Sequence, residues 1–124
     1  MRVKLADRVA YVTSKLQTLG FQSITLAIYK PGPTSMDGYY RLQAVKHDFR
    51  VFISELILGG SIAKYSYTLL HSGEKVILRY DNAPHHPYIK TFPHHKHEHD
   101  RVVPLPNHSV DAFIKEVKPL VKDP

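Results

Sequence analysis

The sequence predicts an α+β domain: an antiparallel meander of about five strands, with an N-terminal and a C-terminal helix packed on one face and a loop rich in histidine and proline. Three observations predict it. Apolar residues recur at spacings of three and four near both ends, the period of a helix with one buried face. Between these ends they alternate with polar residues, the period of a strand. Short turns separate the alternating runs, and short turns join antiparallel neighbours. The 124 residues make a single domain over 1–124, since the chain holds neither internal repeats nor a linker long enough to divide it.

Residues 4–19 carry Leu5, Val9, Val12, Leu16 and Leu19 on one helical face, and Gly20 ends the helix. From Phe21 to Lys30 the period changes: Ile24, Leu26 and Ile28 alternate with Thr25, Ala27 and Tyr29, as in a strand. The run Pro31 to Gly38 has the composition of a loop. Tyr39 to Lys46 is a second strand with Tyr40, Leu42 and Ala44 on one face, and His47-Asp48 a tight turn. Phe49 to Leu58, rich in Val, Ile and Phe, is a third, broken by Gly59-Gly60. Ile62 to Leu70 and Val76 to Asp81 are the fourth and fifth, joined by the turn His71 to Glu74. Residues 82–108 hold five prolines and seven of the nine histidines, which reads as ordered loop because proline denies the ladder its hydrogen bonds. From Ser109 to about Lys122 a helix is expected, capped by Ser109, with Val110, Phe113, Ile114, Val117 and Val121 inward; Pro119 bends it or ends it early.

Composition excludes several functions. There is no cysteine, so there is no disulfide, no Cys-ligated zinc, no iron–sulfur cluster and no thiol nucleophile. No apolar run approaches the length of a membrane span, and the first residues lack the apolar stretch of a signal peptide, so a cytoplasmic location is expected. Seventeen Lys and Arg against eleven Asp and Glu give a formal charge of +6. A small basic chain points to a polyanion, nucleic acid first, or to an acidic protein partner.

The unusual stretch runs from Asp81 to His99, with six histidines between His85 and His99. Three readings compete. The first is a metal site: His95, His97 and His99 alternate, so an extended backbone puts them on one face, although their spacing matches no standard zinc motif. The second is general acid–base chemistry on a phosphodiester. One imidazole accepts a proton while another donates one, with Arg79, Lys90 and Lys96 steadying the phosphorane and the RNA supplying its own 2′-hydroxyl. The third is structural, with histidines holding loop carbonyls and one another. Tyr65, Tyr67 and Tyr80 are candidates to stack on bases, though strand aromatics are more often core. Asp81 and Asn82 read as a turn that can also orient a histidine ring. Gly59-Gly60 is a turn, not a phosphate cradle.

Arg79-Tyr80-Asp81-Asn82-Ala83-Pro84-His85-His86-Pro87, followed by Thr91-Phe92-Pro93-His94-His95-Lys96-His97, closely resembles the signature of the TumE family of toxin–antitoxin proteins. Lys64-Tyr65-Ser66-Tyr67 is similar to the strand before that signature, and the resemblance spans roughly residues 39–118. It implies the toxin half of a prokaryotic type II module, whose antitoxin resembles a small DNA-binding or acidic regulatory protein. The matching positions are Arg79, Tyr80, Asp81, Asn82, His85, His86, His94, His95, Lys96 and His97; His99 and His108 lie outside the signature. That weakens the metal reading, which leaned on His99, and favours acid–base chemistry.

The expectation is therefore a toxin acting as a metal-independent endoribonuclease without cofactor. Its catalytic candidates are His85, His86, His94, His95 and His97. Arg79, Lys96, Tyr80, Lys64 and Tyr65 are its RNA-binding candidates, and Asp81 and Asn82 its orienting ones. Its expected partners are a cognate antitoxin and RNA, with no membrane and a homodimer allowed. The reading set against it is a non-catalytic module that binds nucleic acid or protein, with a structural or zinc-holding histidine loop.

Overall fold

A computed structural model describes residues 2–122. Its elements in chain order are α1 (Leu5–Thr18), β1 (Ser23–Pro31), β2 (Gly38–Lys46), β3 (Phe49–Leu58), β4 (Ser61–His71), β5 (Lys75–Asp81), β6 (His95–Glu98), β7 (Arg101–Pro104) and α2 (Val110–Val117). The strands form one open antiparallel sheet of seven, each beside its sequence neighbour, so the meander expected from the alternation is present and two strands wider.

The two extra strands lie inside the segment read as loop, and that reading is corrected there. His95 to Glu98 pairs with Leu78 to Asp81, and Arg101 to Pro104 pairs back on it. The prolines that argued against a strand sit where a strand tolerates them. Pro93 precedes β6, and Pro104 ends β7, an edge strand that needs a ladder on one side only. Residues 82–94 remain turns, held by Ile89 N–H to His86 O at 3.1 Å and His94 N–H to Thr91 O at 2.9 Å. The Thr91 hydroxyl also accepts from Leu105 N–H at 2.8 Å, fastening this loop to the chain beyond β7.

Both helices cover one face. Leu5, Val12 and Leu16 of α1 and Val110, Phe113, Ile114 and Val117 of α2 share a core with Tyr40, Leu42, Val51, Ile53, Tyr67, Leu69, Leu78 and Tyr80. These sheet residues alternate along their strands, so one side of the sheet is buried under the helices and the other left open. Gly20 follows α1 at φ +88°, a left-handed conformation that glycine adopts without strain. Ser109 caps α2 by accepting Ala112 N–H at 3.0 Å. The helix ends at Val117, short of Pro119, as the proline requires. No helix among the described residues is long and apolar enough to cross a membrane.

Candidate functional site

The register of β5 on β6 sets the site. Asp81 pairs with His95 and Arg79 with His97, while Tyr80 and Lys96, one residue out of phase, pair on the opposite face. The first two pairs stack as adjacent rungs on the open face. The loop before β6 folds His86 over them, its ring centre 4.7 Å from that of His95 and 5.7 Å from that of His97. The structure thus brings together His86, His95, His97, Asp81 and Arg79 out of the candidates in the sequence.

Each member has a distinct environment. His95 is buried, with its Nδ1 3.0 Å from the Pro93 carbonyl oxygen and its Nε2 3.0 Å from Asp81 Oδ1. A carbonyl only accepts, so Nδ1 carries a proton and donates it. His97 is half-buried, its Nε2 3.6 Å from Asp81 Oδ2. Its proton affinity is lowered, chiefly by burial and further by His95, Arg79 and His86, with Asp81 opposing. His86 holds the Tyr88 hydroxyl at 3.0 Å through Nδ1, which leaves Nε2 for the cluster. Arg79 donates from Nε to the Thr68 hydroxyl at 3.1 Å, so its terminal nitrogens stay available. A ligand atom from each of His86, His95 and His97 lies within 4.8 Å of the others. The metal set suggested by alternation is corrected here: His99 leaves the strand in the hairpin turn at φ +48°, and His86 takes its place.

The open face continues away from this cluster as a basic, aromatic surface. One row of paired residues runs Gln43, Phe52, Thr68, Arg79, His97; the next runs Arg41, Ser54, Ser66, Asp81, His95. Arg41 and Arg50 lie over the Phe52 ring at 4.7 and 5.7 Å. Shallow cavities flank the cluster. One of about 510 Å³ is lined by Lys64, Ser66, Asp81, Asn82 and His85, and one of about 290 Å³ by Arg79, His97 and Arg101.

Other candidates lie apart from the cluster. Lys96 points under α2, where Glu116 at 3.2 Å and Glu98 at 3.3 Å hold its ammonium; burial lowers its proton affinity, and these two carboxylates outweigh that. Tyr80 is buried with its hydroxyl on the same Glu116, and Tyr65 is buried with its hydroxyl beside His94 Nδ1, on the helix side of the sheet. Burial raises the pKa of both phenols. Asn82 bridges backbone, donating to Ala63 O at 3.0 Å and accepting Tyr65 N–H at 3.1 Å, and so extends the ladder instead of orienting a ring. His85 is exposed at the rim beside Lys64.

His94 sits on the helix side with Tyr65 and His108. Its Nδ1 is 2.8 Å from the Tyr65 hydroxyl, and its ring stacks on His108 with centres 3.6 Å apart and planes 8° apart. Burial, then the nearby His108 and His95, lowers its proton affinity. With Arg8 these residues line a cavity of about 570 Å³, which includes no member of the open-face cluster. His108, Arg8 and the buried Glu55 behind it are absent from the sequence candidates, although strand alternation puts Glu55 in phase with Val51, Ile53 and Ile57, and helical spacing puts Arg8 on the face of Leu5 and Val12.

The TumE toxin model matches residues 14–122, so the chain belongs to the TumE toxin family. A toxin family implies an antitoxin partner. No curated protein and no solved structure matches the chain.

Proposed function

We propose that this toxin is an endoribonuclease whose reaction takes place on the open face of the sheet. The observation that carries the reading is the pair of adjacent rungs Asp81–His95 and Arg79–His97 with His86 folded over them. Two imidazoles, one fixed carboxylate and one guanidinium converge there, beside a basic surface that carries the half-buried Phe52 ring.

In this reading the phosphodiester sits against Arg79, between His86 and His97. One imidazole takes the proton of the 2′-hydroxyl as its oxygen attacks the adjacent phosphorus; the other gives a proton to the departing 5′-oxygen. Arg79 balances the charge that grows on the phosphorane. His95 and Asp81 position their neighbours and touch no reacting atom. Lys64 and the arginines of the open face hold the flanking phosphates, and Phe52 offers a face to a base. The antitoxin neutralises the toxin by covering this face with acidic or aromatic residues. The competing reading, a non-catalytic binding module, draws on His95, whose ring is turned onto a backbone carbonyl.

The test is the product. Cleavage by the 2′-hydroxyl leaves a 2′,3′-cyclic phosphate and a free 5′-hydroxyl, in the presence of chelator. A strand with a 2′-deoxy nucleotide at the cut site stays whole. If chelator-treated, folded toxin cleaves no RNA from a broad pool, the nuclease reading is wrong and the binding module stands.

A further inference from the structure

His95 poses a question that the ribonuclease reading does not answer. Its Nδ1–H donates to Pro93 O, so in the neutral ring Nε2 presents a lone pair, and that lone pair faces Asp81 Oδ1 at 3.0 Å. Two acceptors do not stand so close unless something positive lies between them. A second proton on the ring is one solution. A metal cation drawn in by both is the other.

We propose that His86, His95, His97 and Asp81 form a zinc site, and that zinc there switches the toxin off. The donor set suits the ion, which takes imidazole and carboxylate ligands in tetrahedral array. Bonds of that kind put neighbouring ligand atoms about 3.3 Å apart. The His95 and Asp81 atoms are 3.0 Å apart, His97 Nε2 is 3.6 Å from the other Asp81 oxygen, and the three histidine ligand atoms already lie within 4.8 Å of one another. Small rotations of His86 and His97, the two less buried rings, complete the shell. The outer contacts are those a zinc histidine needs, the opposite nitrogen being fixed by a carbonyl on His95 and by the Tyr88 hydroxyl on His86. The cavities flanking the cluster open it to solvent and give the ion a way in.

Binding rests on this geometry alone; the inhibitory consequence rests on the ribonuclease reading. Zinc would take the lone pairs of His86 and His97, which acid–base chemistry needs for protons.

Zinc and cobalt(II) salts, added to the full-length chain after chelator treatment, separate the two claims. Competition with a chromogenic zinc indicator should show one tight equivalent, and cobalt should show the visible bands of a tetrahedral site. Removing an outer contact of a zinc histidine typically weakens binding 10–100-fold, so His86→Ala or His97→Ala should each lose at least about 100-fold. Both side chains are partly exposed, so these variants should fold, which circular dichroism checks. Absence of a tight equivalent, or affinity unchanged in both variants, overturns the site. If zinc binds at the cluster and cleavage proceeds undiminished at saturation, the inhibitory role fails. If metal-free toxin cleaves nothing, the ribonuclease reading fails while the zinc measurement stands on its own.

Discussion

Arg8 of α1 and Glu55 of β3, 47 residues apart, join in a two-pronged ion pair of 2.8 and 2.9 Å beneath the helices, with Glu55 fully buried. The Tyr40 and Tyr67 hydroxyls donate to the same carboxylate, so three side chains from three elements converge on it. Burial opposes the Arg8 charge, and Glu55 more than restores it. Removing one partner of such a pair strands the other in the core. Arg8→Met should therefore lower stability by about 3–5 kcal/mol, read from urea unfolding. Glu55→Gln removes the charge that Arg8 compensates, so the double variant should lose clearly less than the sum of the two. Strict additivity would mean that the pair is not coupled.

The same carboxylate sets a prediction for alkaline pH. Burial first, then Glu55, raises the pKa of Tyr40 and Tyr67 well above the ordinary phenol value of 10.0. In the unfolded chain both ionise near that value, while in the folded chain they keep their protons. Above it the unfolded state binds fewer protons, so stability falls as pH rises and is fully present below it. Stability should decline from about pH 10 upward, and Tyr67→Phe should make that decline shallower. A slope identical to the parent's would show that these phenols titrate alike in both states.

How far the sequence reveals this molecule depends on the range of the interaction. The first five strands were legible because alternation is local and each turn carries its own chemistry. Gly20 and Pro119 end their helices by backbone limits that no tertiary contact overrides. The β6–β7 hairpin was hidden because proline and histidine content outweighed an alternation of only four residues, and because its stability comes from pairing with β5. Site membership was legible as a histidine-rich segment but not as a partition. His94, His95, Lys96 and His97 are consecutive, and strand geometry sends His95 and His97 to the open face and Lys96 beneath α2. Choosing between those faces needed the register with Arg79 and Asp81. His86, which completes the cluster, depends on the path of a loop that no periodicity describes.

If the proposed function holds, RNA meets the toxin on the open face. Arg41, Arg50 and Phe52 lie on it, and the two guanidinium groups already stack on the ring. Arg41→Gln and Arg50→Gln should each weaken binding to single-stranded RNA at every sequence and leave melting temperature nearly unchanged. Each lost phosphate contact should reduce the slope of log affinity against log salt by about 0.7. Phe52→Ala should weaken binding by about 1–3 kcal/mol with little change in that slope, because stacking releases no counterion. RNA affinity indifferent to all three substitutions would place the nucleic acid elsewhere.

The division of the histidine segment between two faces predicts its mutational pattern in cleavage. His97 is paired with Arg79 and His86 lies over His97, and in the proposed reaction replacing either with alanine should lower the rate by about 10²–10⁴-fold, the usual contribution of a general acid or base. His94 and Lys96 lie across the sheet, one stacked on His108 and the other held by Glu116 and Glu98. His94→Ala and Lys96→Met should leave the rate of the folded fraction within a few-fold of the parent. Their effect should fall on stability, with Lys96→Met costing about 0.2–1 kcal/mol because the ion pairs remain partly exposed. Asp81→Asn should lower the rate less than His97→Ala, since in the proposed reaction Asp81 acts only through the rings it positions. Measuring folded fraction and single-turnover rate for each variant separates the two groups. Should Lys96→Met or His94→Ala prove as damaging to the rate as His97→Ala, the reacting phosphate lies on the helix side, in the cavity lined by Arg8, Tyr65 and His108, and the open-face mechanism is wrong.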